Sequence, residues 1–360
     1  MDLEKKLEIA TRNTVEVVTL DELRNLLETT ERPKAYLGFE PSGLFHIGWL
    51  VWAYKVSDLI EIGVDFTLLA ATWHAWINDK LGGDLNLIRA AAQHVVDVLE
   101  ALGIDRSKIR LVYAEDLVSK TSYWERVIRE AKNVTLSRLK RALTIMGRKA
   151  DEAEMDFSKL IYPLMQVADI FELDVDIALG GMDQRKAHML ARDVAEKLGW
   201  KKPIAIHTPL IPSLSGAGRM DLKSASDETW VDIKMSKSKP ETALFVVDSD
   251  EDIRKKIRKA YCPPRDAENN PVMAIARHII FAKGPREFVI ERKPEHGGTI
   301  TVYSYEELER LYVSGALHPL DLKNAVAEEL IKIVKPIREK LLSRPSSRQV
   351  LELIAQKVSR

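Results

Sequence analysis

The chain is 360 residues long, 46% hydrophobic and 30% charged, which suits a globular protein of two or three domains with a large core. A single cysteine, Cys262, excludes an intramolecular disulfide and a cysteine-ligated zinc site; no run approaches the roughly 20 apolar residues that span a bilayer, and the charged start Met1-Asp2-Leu3-Glu4-Lys5-Lys6 lacks a secretory core, so a cytoplasmic protein is expected. Net charge is zero, with 54 basic and 54 acidic side chains, yet residues 251–360 carry 21 Lys and Arg against 15 Asp and Glu, a balance that suits either a polyanionic partner or ordinary solvated helix faces.

Residues 1 to 34 read as helical and charged, with Thr19-Leu20-Asp21-Glu22-Leu23 opening a helix. Ala35 to Phe39 reads as a short buried strand, broken by Pro41, Ser42 and Gly43. From about His46 the spacing of Ile47, Leu50, Val51, Tyr54 and Leu59 turns helical. A helix start offers unpaired N–H groups to phosphate, His46 adds a donor, and Gly48 removes a side chain where a flat base can lie. Taken alone, such a turn is ordinary structure. Asp65 to Trp73 reads as a second buried strand, Leu85 to Leu102 as an amphipathic helix ended by Gly103, and Lys108 to Tyr113 as a third strand. This alternation implies a parallel sheet with crossover helices.

Trp124 to Lys149 interrupts the alternation with a helical stretch holding 8 Lys and Arg against 2 Glu. Ile161 to Leu173 reads as a helix, Asp174 to Leu179 as a strand, Gly180-Gly181 as the turn after it, and Met182 to Leu198 as a helix. A short strand, Ile204 to Leu210, precedes a long Ser, Gly and Asp-rich loop over 213 to 232 and the basic run Lys234-Met235-Ser236-Lys237-Ser238. After Asp248 the character is helical: Glu251 to Tyr261, stopped by Cys262-Pro263-Pro264, then a hairpin over Phe288 to Lys293 and Thr299 to Tyr303, then helices at 305–313, 321–342 and 347–358. The domain boundary is expected near residue 240.

The turn ending His46-Ile47-Gly48-Trp49 and the run Lys234 to Ser238, in this order and at this distance, resemble the HIGH and KMSKS signatures of class I aminoacyl-tRNA synthetases. The second is complete; the first departs at Trp49. Three further stretches, Tyr36-x-Gly-Phe-Glu-Pro-Ser-Gly, Tyr162-Pro-x-Met-Gln-x-x-Asp169 and Gly180-Gly-x-x-Gln-Arg-Lys, resemble tyrosyl-tRNA synthetases of the archaeal and eukaryotic type, and the resemblance covers nearly the whole chain. It implies a Rossmann-like α/β catalytic domain over 1–240, with a helical connective insert at about 115–155, and a mainly helical anticodon-binding domain over 241–360. It implies tyrosine and ATP, with Mg2+, as substrates, tRNA(Tyr) as partner, a homodimer, and no zinc or membrane.

The same resemblance assigns roles. Tyr36 and Asp169 face the substrate phenol; Tyr162, Gln166 and Gln184 face its amino group. Gly38, His46, Gly48, Asp183 and Lys237 bind ATP, and His46, Lys234 and Lys237 serve catalysis. Arg185, Lys186, His296, His318 and Asp321 contact tRNA. The residues themselves agree on one point: Tyr162, Gln166 and Asp169 fall at i, i+4 and i+7, one face of a helix. A tryptophanyl enzyme, a nucleotidylyltransferase and a tRNA-binding relative without catalysis are the rival readings. Tyr36 with Asp169, the basic run with the helical tail, and the retained His46 and Lys237 argue against each in turn.

Overall fold

The computed structural model describes residues 1–147, 156–216, 233–237 and 240–358. The end of the insert (148–155), most of the long loop (217–232) and Ser238 lie outside the described residues. Compactness divides the chain into two units, 1–43 with 55–209 and 349–360, and 44–54 with 210–348.

The first unit is built on a six-stranded sheet of order β1-β6-β5-β2-β3-β4, with β1 Glu16–Val18, β2 Lys34–Phe39, β3 Asp65–Ala70, β4 Ile109–Tyr113, β5 Ile177–Gly181 and β6 Ile204–Thr208. All pairs are parallel except β1 with β6, where Val17 lies opposite Ile206. The expected parallel sheet with crossover helices is present, with one antiparallel strand, β1, added at its edge. β3 is buried along all but its first residue, as a strand covered on both faces must be. Strand order reverses where β2 meets β5, and in open α/β sheets ligands bind outside the carboxyl ends of strands at such a point.

Among the described residues up to 209, ten helices follow in chain order: α1 Leu3–Thr11, α2 Leu20–Thr29, α3 Leu50–Glu61, α4 Thr72–Ile77, α5 Leu85–Ala101, α6 Ala114–Val118, α7 Thr121–Ala131, α8 Leu136–Ala142, α9 Ser158–Glu172 and α10 Arg185–Leu198. Helix α2 starts where expected, because Thr19 and Glu22 form a reciprocal capping box. The strand expected over Asp65 to Trp73 stops at Ala70, and Thr72 opens α4. Gly180 and Gly181, expected after a strand, are its last two residues. Buried Lys55 is held by the carbonyls of Ile9, Ala10 and Arg12 at 2.6–3.1 Å, as a cation suits a helix carboxyl end.

The second unit is largely helical, with Asp250–Lys259, Tyr305–Ser314 and Pro319–Ser343, and it contains the short hairpin of β7 Phe288–Ile290 and β8 Ile300–Val302.

Candidate active site

Tyr36 sits on β2 with 1% of its surface exposed. Burial first, and the charge of Asp169 second, push its phenol well above the usual value, so it remains a neutral donor. Asp169, on α9, is equally buried. Tyr123 Oη lies 2.9 Å from Asp169 Oδ1 and 3.0 Å from the Met165 carbonyl, one hydrogen facing two acceptors. His74 Nε2 on α4 stands 3.2 Å from Asp169 Oδ2, but without the alignment of a hydrogen bond. The structure thus brings the two expected phenol readers together and adds Tyr123 and His74.

Tyr123 belongs to the connective segment, on α7. The buried residues of that helix are Tyr123, Val127 and Glu130, the same i, i+4, i+7 spacing as the stripe on α9. That repeat is visible in the sequence and is the signal that identifies Tyr123. Glu130 is fully buried, and among the described residues neither carboxylate oxygen has a hydrogen-bond partner. Burial, then repulsion from Asp169, pushes its carboxyl up to about 9, so it keeps its proton at neutral pH. A carboxyl raised in the folded state costs stability progressively as pH climbs from its unfolded value to its folded one. Glu130→Gln removes that titration. Denaturant unfolding from about pH 5 to about pH 9 should therefore show the variant gaining on the wild type as pH rises; a constant difference means that Glu130 titrates normally.

Tyr162 donates to Glu40 Oε1 at 3.3 Å, and Glu40 also accepts from Asn78 Nδ2 at 2.9 Å. Gln166 Nε2 donates to Gln184 Oε1 at 3.0 Å, and Gln184 Nε2 donates to the Ile145 carbonyl at 3.2 Å. Carboxylate and amide oxygens gathered in this way complement an ammonium group.

The turn from β5 to α10 is tight. A Cβ on Gly180 would lie 3.0 Å from Gln184 Cβ and from His188 Cε1, so only glycine lets the helix start close on the strand. Behind it runs a buried chain. His188 Nδ1 is 3.0 Å from His207 Nε2, and His207 Nδ1 is 3.0 Å from Glu16 Oε2. Glu16 only accepts, so His207 carries its proton on Nδ1 and accepts at Nε2 from His188. Burial lowers both imidazoles, which keeps them neutral and this tautomer in place. Arg185 grips Glu16 at 2.7 and 2.9 Å, so it has a structural partner; Lys186 and Asp183 are half-buried in the same turn. Gly38 is exposed, and a Cβ there would meet only ordinary contacts, the nearest being Tyr36 Cε2 at 3.5 Å.

In the second unit, the turn at His46 is fixed by backbone pairing. Ile47 N donates to Leu244 O at 2.8 Å, and Val246 N donates to Phe45 O at 3.0 Å. Residues Ile47–Trp49 form a 3-10 turn that runs into α3. A Cβ on Gly48 would fall 2.9 Å from His46 Nδ1, so the histidine ring occupies the space expected for a base. His46 is 7% exposed, and burial, then Lys237 and Lys234, hold its imidazole well below the usual value. It is therefore neutral. Lys237 Nζ stands 3.6 Å from the Trp49 ring centroid. The basic run is anchored at its start: Ser213 N donates to Ile233 O at 2.7 Å, Met235 N donates to Ile211 O at 2.8 Å, and Ile233 and Met235 are buried.

Further along, His318 caps the helix Pro319–Ser343, its Nδ1 accepting from Leu320 N at 3.1 Å. Asp321 is therefore not the cap; it lies in the first turn, and no described residue hydrogen-bonds or ion-pairs with its carboxylate. His296 is exposed on the turn Pro294–His296. Arg292 ties that turn to the His318 segment, donating to Gly298 O at 2.9 Å and to Ala316 O at 3.1 Å.

Comparison with known proteins places the chain in a family. The family described as tRNA synthetases class I (W and Y) matches residues 28–335. A tyrosine–tRNA ligase of Aeropyrum pernix is 61% identical over 361 residues, covering 100% of this chain and 99% of the relative, and one of Sulfurisphaera tokodaii is 57% identical over 360 residues, covering 100% and 99%. The crystal structure of tyrosyl-tRNA synthetase complexed with L-tyrosine from Pyrococcus horikoshii superposes with a TM-score of 0.91 at 43% identity, covering 99% of this chain and 100% of that one.

Proposed function

The chain belongs to the class I tRNA synthetases of the tryptophan and tyrosine group, and on that premise we propose the following division of labour for a tyrosine–tRNA ligase. The tyrosine carboxylate attacks the α-phosphorus of ATP in line; a carboxyl oxygen–phosphorus bond forms and pyrophosphate leaves. A ribose hydroxyl of the terminal tRNA adenosine then attacks the acyl carbon and AMP leaves. Nothing here needs a covalent enzyme intermediate, so the protein's work is positioning and charge stabilisation.

The observation that carries the choice of amino acid is the buried group Tyr36, Asp169 and Tyr123. A phenol both donates and accepts: it donates to Asp169 and accepts from Tyr36. An indole can only donate, which leaves a buried Tyr36 hydroxyl without use. Tyr162, Gln166 and Gln184, with the Glu40 carboxylate, take the amino group. Gly38 and Asp183 take the adenosine; Gly48, whose open side is filled by the His46 ring, does not. ATP enters with Mg2+ on its phosphates. His46, being neutral, acts as a hydrogen-bond donor, and Lys237 with Lys234 supplies the positive charge. The test is pyrophosphate exchange into ATP. It should require L-tyrosine; exchange with tryptophan and not tyrosine would overturn the reading.

Residues 241–360 serve as the anticodon-binding part, and Arg185 and Lys186 as further tRNA contacts. The exposed apolar side chains Trp124, Ile128 and Leu136 on α7 and α8 support a homodimer through the connective segment. The family's role in charging tRNA favours a cytoplasmic enzyme; no helix among the described residues is long and apolar enough to cross a membrane. At the anticodon, a splayed guanine offers N1–H and N2–H to a carboxylate, and Asp321 is that acceptor, with His318 and His296 beside the base. Asp321→Ala should reduce tRNA charging by about 10-fold or more while tyrosine-dependent exchange is unchanged. The loss should shrink for a tRNA whose first anticodon base is not G. Equal losses on both tRNAs would remove Asp321 from recognition.

A further inference from the structure

The first signature departs from its family pattern only at its last residue, Trp49, and the structure places a cation on that residue. Lys237 Nζ lies 3.6 Å from the indole centroid, well inside the distance at which an ammonium and an aromatic face attract. The indole is itself held by other rings: Phe45 packs edge-on at 5.5 Å, His46 at 5.3 Å and Trp52 at 5.7 Å. Lys237 stands two residues past Met235, which is buried and donates its N–H to Ile211 O. The contact therefore joins the turn at Trp49 to a residue two positions past an anchored one. His46, one turn away, is neutral, so the positive charge at this turn comes from the lysines.

We propose that Trp49 is a positioning residue that seats the Lys237 ammonium beside the first turn of α3. The inference rests on the proposed role of Lys237 at the ATP phosphates. A tryptophan face is the strongest such seat among the aromatic side chains, whereas a histidine at this position would offer a donor but a poor one. Because the lysine is seated before ATP arrives, less side-chain freedom is lost when the phosphates bind.

The test is a double-variant cycle read by tyrosine-dependent pyrophosphate exchange on the full chain. W49L should lower kcat by about 3- to 30-fold, the range of one cation–π contact, with the KM for tyrosine unchanged. W49F, which keeps a weaker face, should lose less. In the K237A background W49L should cost nothing further, because the residue acts through the lysine. A W49L loss of the same size with and without Lys237, or no W49L effect at all, overturns the proposal. Wild-type exchange by K237A alone would instead remove Lys237 from the chemistry, and this failure is told apart by the single variant. If W49L lowers the thermal midpoint, W49F carries the cycle under the same two criteria.

Discussion

Lys237→Ala is expected to slow tyrosine-dependent exchange by about 10²- to 10³-fold, the usual cost of removing one group that stabilises developing charge. Tyrosine affinity should hardly change. The charge on the transferring phosphate builds in the transition state, so a lysine that meets it there alters turnover and not ground-state binding. Lys237 is well placed for this. It is carried past buried Met235 and sits over the Trp49 ring, and the neighbouring His46 is kept neutral by burial. Exchange rates and tyrosine binding, measured on the same preparation, decide the matter. A variant that loses tyrosine affinity but activates at the normal rate refutes the role.

Asp169→Ala combined with Tyr36→Leu should have the second large effect, lowering kcat/KM for tyrosine by about 10²-fold or more. Each change leaves one side of the substrate hydroxyl unpaired in a buried site, at about 1–3 kcal/mol apiece. The variant also strips Tyr123 of its acceptor at 2.9 Å, leaving only the Met165 carbonyl, and it removes the charge facing His74. Losses at such coupled positions do not add simply, so the two single variants should be measured as well. Rejection of other para-substituted phenylalanines should relax, because hydroxyl reading is what excludes them. Unchanged tyrosine kinetics in the double variant would dismantle the pocket. Asp169→Asn is the control for shape, since it retains an acceptor oxygen and should fall between the wild type and the alanine variant.

What the sequence by itself determined is local. The alternation of apolar runs and amphipathic stretches yields the strands and helices of the sheet, because period two and period 3.6 are written in neighbouring residues. The Thr19–Glu22 capping box, the stripe Tyr162, Gln166, Asp169, and the two signatures are likewise short-range patterns; the box and the stripe lie on the expected helices, and the first signature lies at the turn into α3. What the tertiary structure decided depends on partners far along the chain. The three-residue strand β1 has no periodicity of its own and exists because it pairs with β6. Asp65 to Trp73 is one apolar run, and an apolar run does not say where a buried strand ends and a buried helix begins; α4 starts inside it and so supplies His74. Tyr123 reaches Asp169 across 46 positions, and His207 meets Glu16 across 191. Read alone, Trp49 is only a departure from the first signature. Its value lies in the lysine 188 positions later that folding sets on its face, a contact no window of local sequence contains.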